Sequence, residues 1–262
     1  MEKRPRRVAA TAACLVASAL PAQTPIDPDA RATALVHAMT LDEKLQLVRS
    51  SMPIMMRNRP SDAIIAAGYV AGLPRLGIPP LRETDASLGV SNMLNMRRND
   101  EATALPSGLA MAASFDPELV YRAGAMIGSE ARAKGFNVML AGGVNLVREP
   151  RGGRAFEYAG EDPLLAGTIA GEQIRGVQSN GIVSTVKHFA LNDQETGRNV
   201  LNVRIGEAAA RESDLLAFEL AIERGQPGSV MTAYNKVNGD YASENKWLLT
   251  DVLRHDGAFA AG

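Results

Sequence analysis

The chain has 262 residues, of which 46% are hydrophobic and 22% charged, and its formal net charge is −1 at pH 7. These values suit a soluble globular protein of one large or two small domains, and without an excess of basic residues they argue against nucleic acid as a partner. Cys14 is the only cysteine, which excludes an intramolecular disulfide and a thiolate metal site. The histidines lack the spacing of metal ligands, so neither a metal nor a cofactor is predicted.

Residues 1–22 have the build of a secretory signal peptide. Basic residues up to Arg7 are followed by an apolar stretch that begins at Val8 and by small residues near Ala22, in the order typical of such peptides. The apolar stretch is short for a membrane span. We expect cleavage near Ala22 and export to a bacterial periplasm or beyond, with no membrane attachment afterwards. A disordered tail or a membrane anchor is the alternative, and the pair Arg6-Arg7 is a weak hint of twin-arginine export.

Residues 23–262 form one predicted domain in which helices and strands alternate. A capping box at Thr40-Leu41-Asp42-Glu43 marks one helix start, and Asp-Pro pairs at 116–117 and 162–163 mark two more. This alternation predicts an α/β fold with a parallel sheet and crossover helices, and the glycine motifs of nucleotide-binding sheets are absent. In chain order the predicted elements are a helix to Val48, a helix from Asp116 to Gly135, a strand at 137–142, a helix from Asp162 to about Asn180, a strand at 182–189, a helix at 207–224, a strand at 229–234 and a helix from Glu244 to Arg254.

Polar groups follow the apolar stretches in succession. Asp85 comes after "LGIPPL", the cluster from Arg148 to Arg154 follows "NVMLAG", Lys187-His188 ends "IVSTV", and Tyr234-Asn235 ends "SVMTA". In a (β/α) barrel the carboxyl ends of the strands share one face, and that face carries the active site. The pattern therefore predicts a barrel with a polar site at this face.

The mixture of side chains suits a neutral polyol such as a sugar. Carboxylates accept from paired hydroxyls, Lys, Arg and His donate back, and a Tyr or Met wall covers the apolar face of a ring. Cations near Asp85 are expected to keep its carboxylate ionised and a strong acceptor. The candidate binding residues are Asp85, Arg154, Lys187, His188, Arg198, Met231 and Tyr234.

Simpler interpretations of the same residues stay open. Lys187-His188 is also explained as the cap of a loop, and Arg151-Gly152-Gly153-Arg154 as a solvated loop or a weak phosphate cradle. Asp193 and Glu195 suit a turn or a helix cap, and Met231 suits the core. The succession of four polar strand ends favours the binding site.

The chain resembles the N-terminal domain of glycoside hydrolase family 3, on its β-glucosidase side. The resemblance rests on "ETDASLGV" (83–90), "GGVNLVREPRGGRAFEYAGEDPLLAG" (142–167), "VKHFALNDQETGR" (186–198) and "SVMTAYNKVNGDYASENKWLLTDVLR" (229–254), which occur in the family's order and spacing between about Asp29 and Arg254. The family's Lys-His-Phe-Pro-Gly variant, typical of β-N-acetylglucosaminidases, is absent because Phe189 is followed by Ala190-Leu191. The resemblance therefore favours glucosidase or xylosidase chemistry in an incomplete TIM-like (β/α) barrel.

The resemblance also implies roles for the candidate residues. Asp85 would bind hydroxyls at the far, non-reducing side of the sugar in subsite −1. Met231 and Tyr234 would lie beside the anomeric centre, with Tyr234 placed to contact the nucleophile. The rest of the polar ring would come from Arg154, Lys187, His188 and Arg198.

Neither carboxyl group that the reaction needs is assigned within the given residues. The resemblance puts the nucleophilic Asp just beyond Gly262, on the strand that follows "LLTDVLR", and the acid/base Glu in a later domain. Gly257-Ala258-Phe259 matches only imperfectly the family's stretch before that strand. Without the resemblance, Asp85 and Glu195 would be the carboxylate pair of choice. The expectation is a C-terminally truncated barrel, inactive alone, with an exposed parallel edge.

Two functions of different classes are consistent with these residues. The first is a part of a secreted, retaining β-glucosidase-type hydrolase that releases terminal non-reducing β-D-glucose from β-linked oligosaccharides or glycosides, with a β-xylosidase-type member as its variant. The second is a non-catalytic sugar-binding module, which needs only the polar ring.

Overall fold

A computed structural model of the chain describes residues 27–256, so the predicted signal peptide and Gly257-Ala258-Phe259 lie outside the described residues. The described residues fall into two units that divide after Leu41. In the first unit, helix α1 (Pro28–Ala38) begins at Asp27, whose side chain accepts from the backbone N–H of Asp29 and caps the helix. None of the described helices has the length and apolar character that a membrane span requires.

A five-stranded sheet organises the second unit, in the order β1-β2-β3-β4-β6. β1 is antiparallel to β2, and the other neighbours are parallel. The three strands predicted at 137–142, 182–189 and 229–234 are confirmed as β3, β4 and β6 with shorter bounds, and β5, β7 and β8 form a small sheet that the sequence did not predict. The strands are β1 (Gly68–Val70), β2 (Leu81–Asp85), β3 (Val138–Leu140), β4 (Val183–Phe189), β5 (Asn202–Val203), β6 (Ser229–Thr232), β7 (Lys236–Val237) and β8 (Asp240–Tyr241).

Helices connect the parallel strands and begin where the sequence places capping residues. Asp116 accepts from Leu119 N at 3.0 Å, and Asp162 accepts from Leu164 N at 2.8 Å, so each satisfies a free N–H of the first turn. The described helices of this part are α2 (Leu41–Leu47), α3 (Gly108–Ala112), α4 (Pro117–Ala133), α5 (Pro163–Gln178), α6 (Glu207–Arg211) and α7 (Asp214–Gly225), followed by a helix of π type, Trp247–Asp256.

The prediction of one continuous helix over 207–224 is wrong, because α6 and α7 are separate. Ser213 leaves the helical conformation at φ −126° and ψ −102°. The cause is the next side chain: Asp214 is fully buried and accepts from Arg148 Nη2 at 2.5 Å. The chain turns at Ser213 so that this carboxylate reaches its partner. The last helix also begins three residues later than predicted, at Trp247, since Asn245 Oδ1 caps it through Leu248 N at 3.0 Å.

The main core lies where α4, α5 and α7 cover the sheet. Ile174 of α5 is fully buried, and Phe189 of β4 meets Phe218 of α7 edge to face, with ring centroids 5.1 Å apart. A parallel sheet with crossover helices, open between β1 and β6 in the part of the chain that the structure describes, is the architecture of an incomplete (β/α) barrel, as predicted.

Candidate functional site

The candidate site lies at the carboxyl ends of β2, β4 and β6 and in the loops that follow β3, β4 and β6. Asp85 ends β2, and Lys187 lies opposite Met231 in the register of β4 and β6. Parallel strands bring these ends to one edge of the sheet. The remaining candidates lie near the end of β4 or in the loops: Arg154, His188, Arg198 and Tyr234.

Lys187 contacts two carboxylates from different elements. Its Nζ is 3.3 Å from Asp85 Oδ1 and 3.7 Å from Glu157 Oε2. The side chains of Lys187 and Glu157 are each 3% exposed, whereas that of Asp85 is 38% exposed. A buried ammonium group needs such partners because it has lost its hydration. Lys187 therefore lies between the partly exposed carboxylate of Asp85 and the buried carboxylate of Glu157.

Glu157 belongs to the site although the sequence analysis did not single it out. Its Oε1 accepts from Arg154 Nε, while its Oε2 faces Lys187. Burial acts to lower the pKa of Arg154, but the charge of Glu157 and their hydrogen bond outweigh it and raise that pKa. The only signal in the sequence was that Glu157 stands three residues after Arg154, and nothing in that spacing indicated burial.

The line of alternating charges continues to an aromatic ring. Arg154 Nη1 is 3.6 Å from Glu195 Oε2, and Arg198 Nη1 is 3.2 Å from Glu195 Oε1. The Arg198 guanidinium carbon lies 4.4 Å from the ring centroid of Tyr234, a cation–π contact. These contacts join the candidate residues into what we call the charged line: Asp85, Lys187, Glu157, Arg154, Glu195, Arg198 and Tyr234.

The loop at 151–154 packs against the chain near Glu195. Glu195 N donates to Gly152 O at 2.7 Å. A Cβ on Gly152 would come within 2.5 Å of Asp193 O, and Gly153 has φ +89° with the Cβ of Glu195 close by, so both positions require glycine. The sequence is consistent with either a solvated loop or a weak phosphate cradle here. Arg151, which is 89% exposed, fits a solvated loop, and the two glycines allow the close packing.

His188 is buried and held through one ring nitrogen. Nδ1 is 3.0 Å from the hydroxyl of Tyr158, and its backbone N–H donates to Asn145 Oδ1 at 2.9 Å. The pairing of β4 with β6 is interrupted between Lys187 and Phe189, and such a bulge redirects a side chain. The peptide bonds Lys187–His188 and Phe189–Ala190 are cis. Nε2 has no hydrogen-bond partner among residues 27–256.

Burial lowers the pKa of His188 to about 2, and the nearby cations of Arg154, Lys187 and Arg198 act in the same direction. The imidazole is therefore neutral at physiological pH and serves as a hydrogen-bonding group rather than a cation. Burial also raises the pKa of Tyr158, with the charge of Glu157 adding to it. Tyr158 thus keeps its proton beside His188, and it is a second residue that the sequence analysis did not single out.

Asp193 has a structural partner outside the charged line. Arg148 Nε is 3.1 Å from Asp193 Oδ2 and its Nη2 is 2.5 Å from Asp214 Oδ2. Burial, together with the charge of Asp214, raises the pKa of Asp193. The arginine ties the loop after β3 to the loop after β4 and to the start of α7. Asp193 therefore holds these loops through its hydrogen bond with Arg148 rather than through a turn or helix cap.

Two cavities lie along the charged line. One, of about 290 Å³, is lined by Asp85, Glu157 and Phe156 among others, and the second, of about 430 Å³, by Met231, Tyr234 and Asn199 among others. Their linings share no residue: of the predicted set, Asp85 lines the first, and Met231 and Tyr234 line the second. Within residues 27–256, no three potential metal ligands among His, Cys, Asp and Glu cluster together.

This arrangement offers fixed donors and acceptors at short range. Asp85 supplies acceptors, Lys187 and Arg154 supply donors, and neutral His188 supplies a ring nitrogen whose role depends on its tautomer. Met231 and Tyr234 supply an apolar surface. Hydroxyl-rich ligands need this combination, since each hydroxyl both donates and accepts.

Residues 56–261 match the family model described as the glycosyl hydrolase family 3 N terminal domain. Among similar curated proteins, probable beta-glucosidase J of Aspergillus fumigatus is 43% identical over 225 residues, covering 86% of this chain and 24% of that protein. Beta-glucosidase BoGH3A of Bacteroides ovatus is 44% identical over 195 residues, covering 72% of this chain and 26% of that protein. The chain thus spans about a quarter of the length of these relatives.

A solved structure of similar fold is beta-glucosidase 3B from Thermotoga neapolitana in complex with glucose. It superposes with a TM-score of 0.80 at 38% sequence identity, over 86% of this chain and 32% of that chain. At this identity, the likeness extends to sequence as well as fold, and it agrees with the incomplete (β/α) barrel described above.

Proposed function

The chain belongs to the glycosyl hydrolase family 3, whose N-terminal domain its residues 56–261 match, and on this premise we propose that it is the sugar-binding part of a β-glucosidase-type enzyme. The reaction is hydrolysis of an O-glycosyl bond with retention, which releases terminal non-reducing β-D-glucose. The observation that carries the proposal is the charged line, in which Lys187 lies 3.3 Å from Asp85 at the strand ends. Relatives named beta-glucosidases support the substrate class.

In this proposal the described residues bind the glucose ring in subsite −1. Asp85 is the half-exposed carboxylate at a cavity wall, and it accepts from two neighbouring hydroxyls. Lys187 and Arg154 donate to the same hydroxyls, and the neutral His188 donates or accepts through its free ring nitrogen. Arg198 orders the loop through Glu195. Tyr234 and Met231 cover the apolar side of the ring near its anomeric carbon.

Bond cleavage needs two further carboxyl groups. A retaining glycosidase places a nucleophile and an acid/base about 5–5.5 Å apart. Asp85, Glu157 and Glu195 are each paired with a cation, which suits binding better than attack on carbon. We therefore propose, with the family resemblance, that the nucleophilic Asp and the acid/base Glu lie beyond the given residues. Export through the N-terminal signal peptide belongs to the same proposal.

The binding part of the proposal is tested by calorimetric titration of the chain with D-glucose. We expect binding that Asp85→Asn weakens by on the order of tenfold, because the neutral amide offers one acceptor in place of a carboxylate. The variant Asp62→Asn, at an exposed ion pair with Arg82, is the matched control and keeps the affinity. Equal affinities of the two variants would contradict the site. Titration with D-xylose beside D-glucose separates the glucosidase from the xylosidase variant.

A further inference from the structure

Glu157 lies in the middle of the charged line and contacts two cations at once. Its side chain is 3% exposed, its Oε1 accepts from Arg154 Nε, and its Oε2 is 3.7 Å from Lys187 Nζ. A carboxylate that has lost its water is tolerated only with charged partners. The burial of Glu157 therefore depends on these two cations, and their positions depend on it.

Lys187 is the side chain that most needs such support. Its ammonium is a point charge at the end of a flexible four-carbon chain, so its position is set by its neighbours. Within the described residues its carboxylate neighbours are Asp85 and Glu157. Asp85 is half-exposed and faces a cavity, so a bound ligand would compete with Lys187 for its oxygens. Glu157 is buried and would keep its contact with Lys187 when a ligand binds.

Arg154 is held more firmly by Glu157 than by its other partner. Its contact with Glu157 is a hydrogen-bonded ion pair in the buried part of the site, whereas Nη1 is 3.6 Å from the 38%-exposed Glu195. An exposed pair at that distance contributes little because water screens it. Loss of Glu157 would thus release the two cations that flank it.

We propose that Glu157 is a positioning residue of the sugar site, which acts through Lys187 and Arg154 by holding their donors toward the hydroxyls of a pyranose. This inference rests on the proposed sugar-binding function. Donors that are fixed before the ligand arrives bind it without a further ordering cost. The exchange of the charge of Glu157 for an amide of the same shape should therefore weaken sugar binding by releasing the donors of Lys187 and Arg154.

The variant Glu157→Gln of the full chain tests this, with Glu172→Gln as its matched control. Glu172 is similarly buried and pairs with two arginines, Arg175 at 2.7 Å and Arg224 at 2.7 Å, but it lies on α5 between helices. Both variants remove the charge of a buried carboxylate from its cationic partners and are expected to lower the denaturation midpoint. Only E157Q is expected to raise the calorimetric Kd for D-glucose, by on the order of tenfold, as is common when the partner that orients a ligand-binding side chain is lost.

A double-mutant cycle with Lys187→Met shows whether Glu157 acts through Lys187. In urea unfolding, the double variant E157Q/K187M is expected to be more stable than the sum of the two single losses, because it removes both partners of a pair. In glucose titrations E157Q is expected to weaken binding less in the K187M background than in the unaltered chain, because the part of its effect that passes through Lys187 is already lost. Where E157Q does not fold, Glu157→Asp, which keeps the charge but shortens the side chain, replaces it in the cycle and is expected to raise the Kd for D-glucose above that of the unaltered chain.

The outcomes separate the two proposals. No glucose binding by the unaltered chain contradicts the proposed function and the positioning role that rests on it. Binding that E157Q and E172Q weaken to the same extent contradicts the positioning role alone. Strictly additive effects of E157Q and K187M on both unfolding and binding would also overturn it.

Discussion

Lys187 and His188 are neighbours in the chain and equally buried, yet their surroundings differ in charge. Lys187 has the carboxylates of Asp85 and Glu157 within 4 Å, whereas His188 is bound to the neutral hydroxyl of Tyr158. Burial and the surrounding cations lower the pKa of His188 to about 2. One strand end therefore presents a cation and a neutral imidazole side by side, two polar groups of different chemistry.

At the residue scale, this environment of His188 predicts acid destabilisation. The unfolded chain takes up a proton near the ordinary pKa of 6.5, while the folded chain does so only near 2. The unfolding free energy should therefore fall as pH drops below 6.5, by at most about 1.4 kcal/mol per pH unit from this group. His188→Asn keeps a polar side chain and removes the titration, so its slope between about pH 7 and 5 is expected to be shallower.

Urea unfolding of both proteins at several pH values measures these slopes. The Asn variant is expected to be less stable at neutral pH, since its contact with Tyr158 is altered, so the comparison rests on the slope and not on the absolute value. Identical slopes would mean that His188 titrates normally in the folded chain.

Sequence reasoning singled out the candidate residues that end strands and missed the residues that contact them in the structure. Asp85 and Lys187-His188 stood out because an apolar run stopped at each of them. Glu157 and Tyr158 lie in an irregular loop after β3, where no periodicity separates a buried side chain from an exposed one. Tyr158 contacts His188, 30 residues later in the chain, and Glu157 contacts Lys187 at a similar separation. Only the folded structure brings these residues together.

At the element scale, the sequence predicted strands and helix starts better than helix breaks. Asp116 and Asp162 begin α4 and α5 as expected because capping is a local interaction. The break at Ser213 was not predicted, because it follows from the pairing of Asp214 with Arg148, which is 66 residues away. The strands of the small sheet have two residues each, too short to show any alternation.

The packing of α5 on α4 gives a prediction at the same scale. A Cβ on Gly176 would collide with the backbone oxygen of Tyr121 and lie 2.7 Å from Ala125 N, both in α4. Gly176→Ala raises helix propensity but forces the two helices apart, so we expect a net loss of about 1–3 kcal/mol of unfolding free energy. Gly206→Ser is the control, because no atom lies within 4 Å of the added Cβ.

Chemical denaturation of both glycine variants measures the change in unfolding free energy that each substitution causes. G206S is expected to change the unfolding free energy by less than about 0.5 kcal/mol or to increase it, since serine is a good N-cap residue. A stable G176A protein would show that α4 and α5 have room to separate without cost.

At the scale of the whole molecule, the chain corresponds to one part of its longer relatives. It spans about a quarter of the curated relatives and 32% of the chain of the similar glucose complex. The residues that the structure describes supply a polar, cation-rich face, and the carboxylates of the charged line are all paired. In a fold of this type, binding residues come from several strand ends, so a part of the sheet is enough to form part of the site.

The signal peptide is a whole-molecule prediction that lies outside the described residues. We expect the chain, expressed in a bacterium, to be recovered from the periplasm with Gln23 near its N-terminus, because the order of basic, apolar and small residues is that of an export signal. N-terminal sequencing of the periplasmic fraction tests it. A variant with Arg6-Arg7 replaced by Lys-Lys reports whether the twin-arginine route is used. Intact Met1 on protein confined to the cytoplasm would count against the prediction.

The last prediction is that the given chain alone hydrolyses no aryl β-glucoside at a useful rate. Binding the substrate through Asp85, Lys187 and His188 does not by itself lower the barrier, since only interactions that strengthen in the transition state do so. Cleavage needs an acid for the leaving oxygen and a carboxylate for the oxocarbenium-like carbon, and the proposal assigns both to segments beyond Gly262. Purified chain should therefore bind glucose but show no release of nitrophenol from nitrophenyl β-glucoside or β-xyloside, while a chain extended through the following strand and domain turns one of them over. Binding without turnover in the extended chain would favour the non-catalytic module. Turnover by the given chain that disappears in Asp85→Asn or Glu195→Gln would show that these carboxylates take part in catalysis.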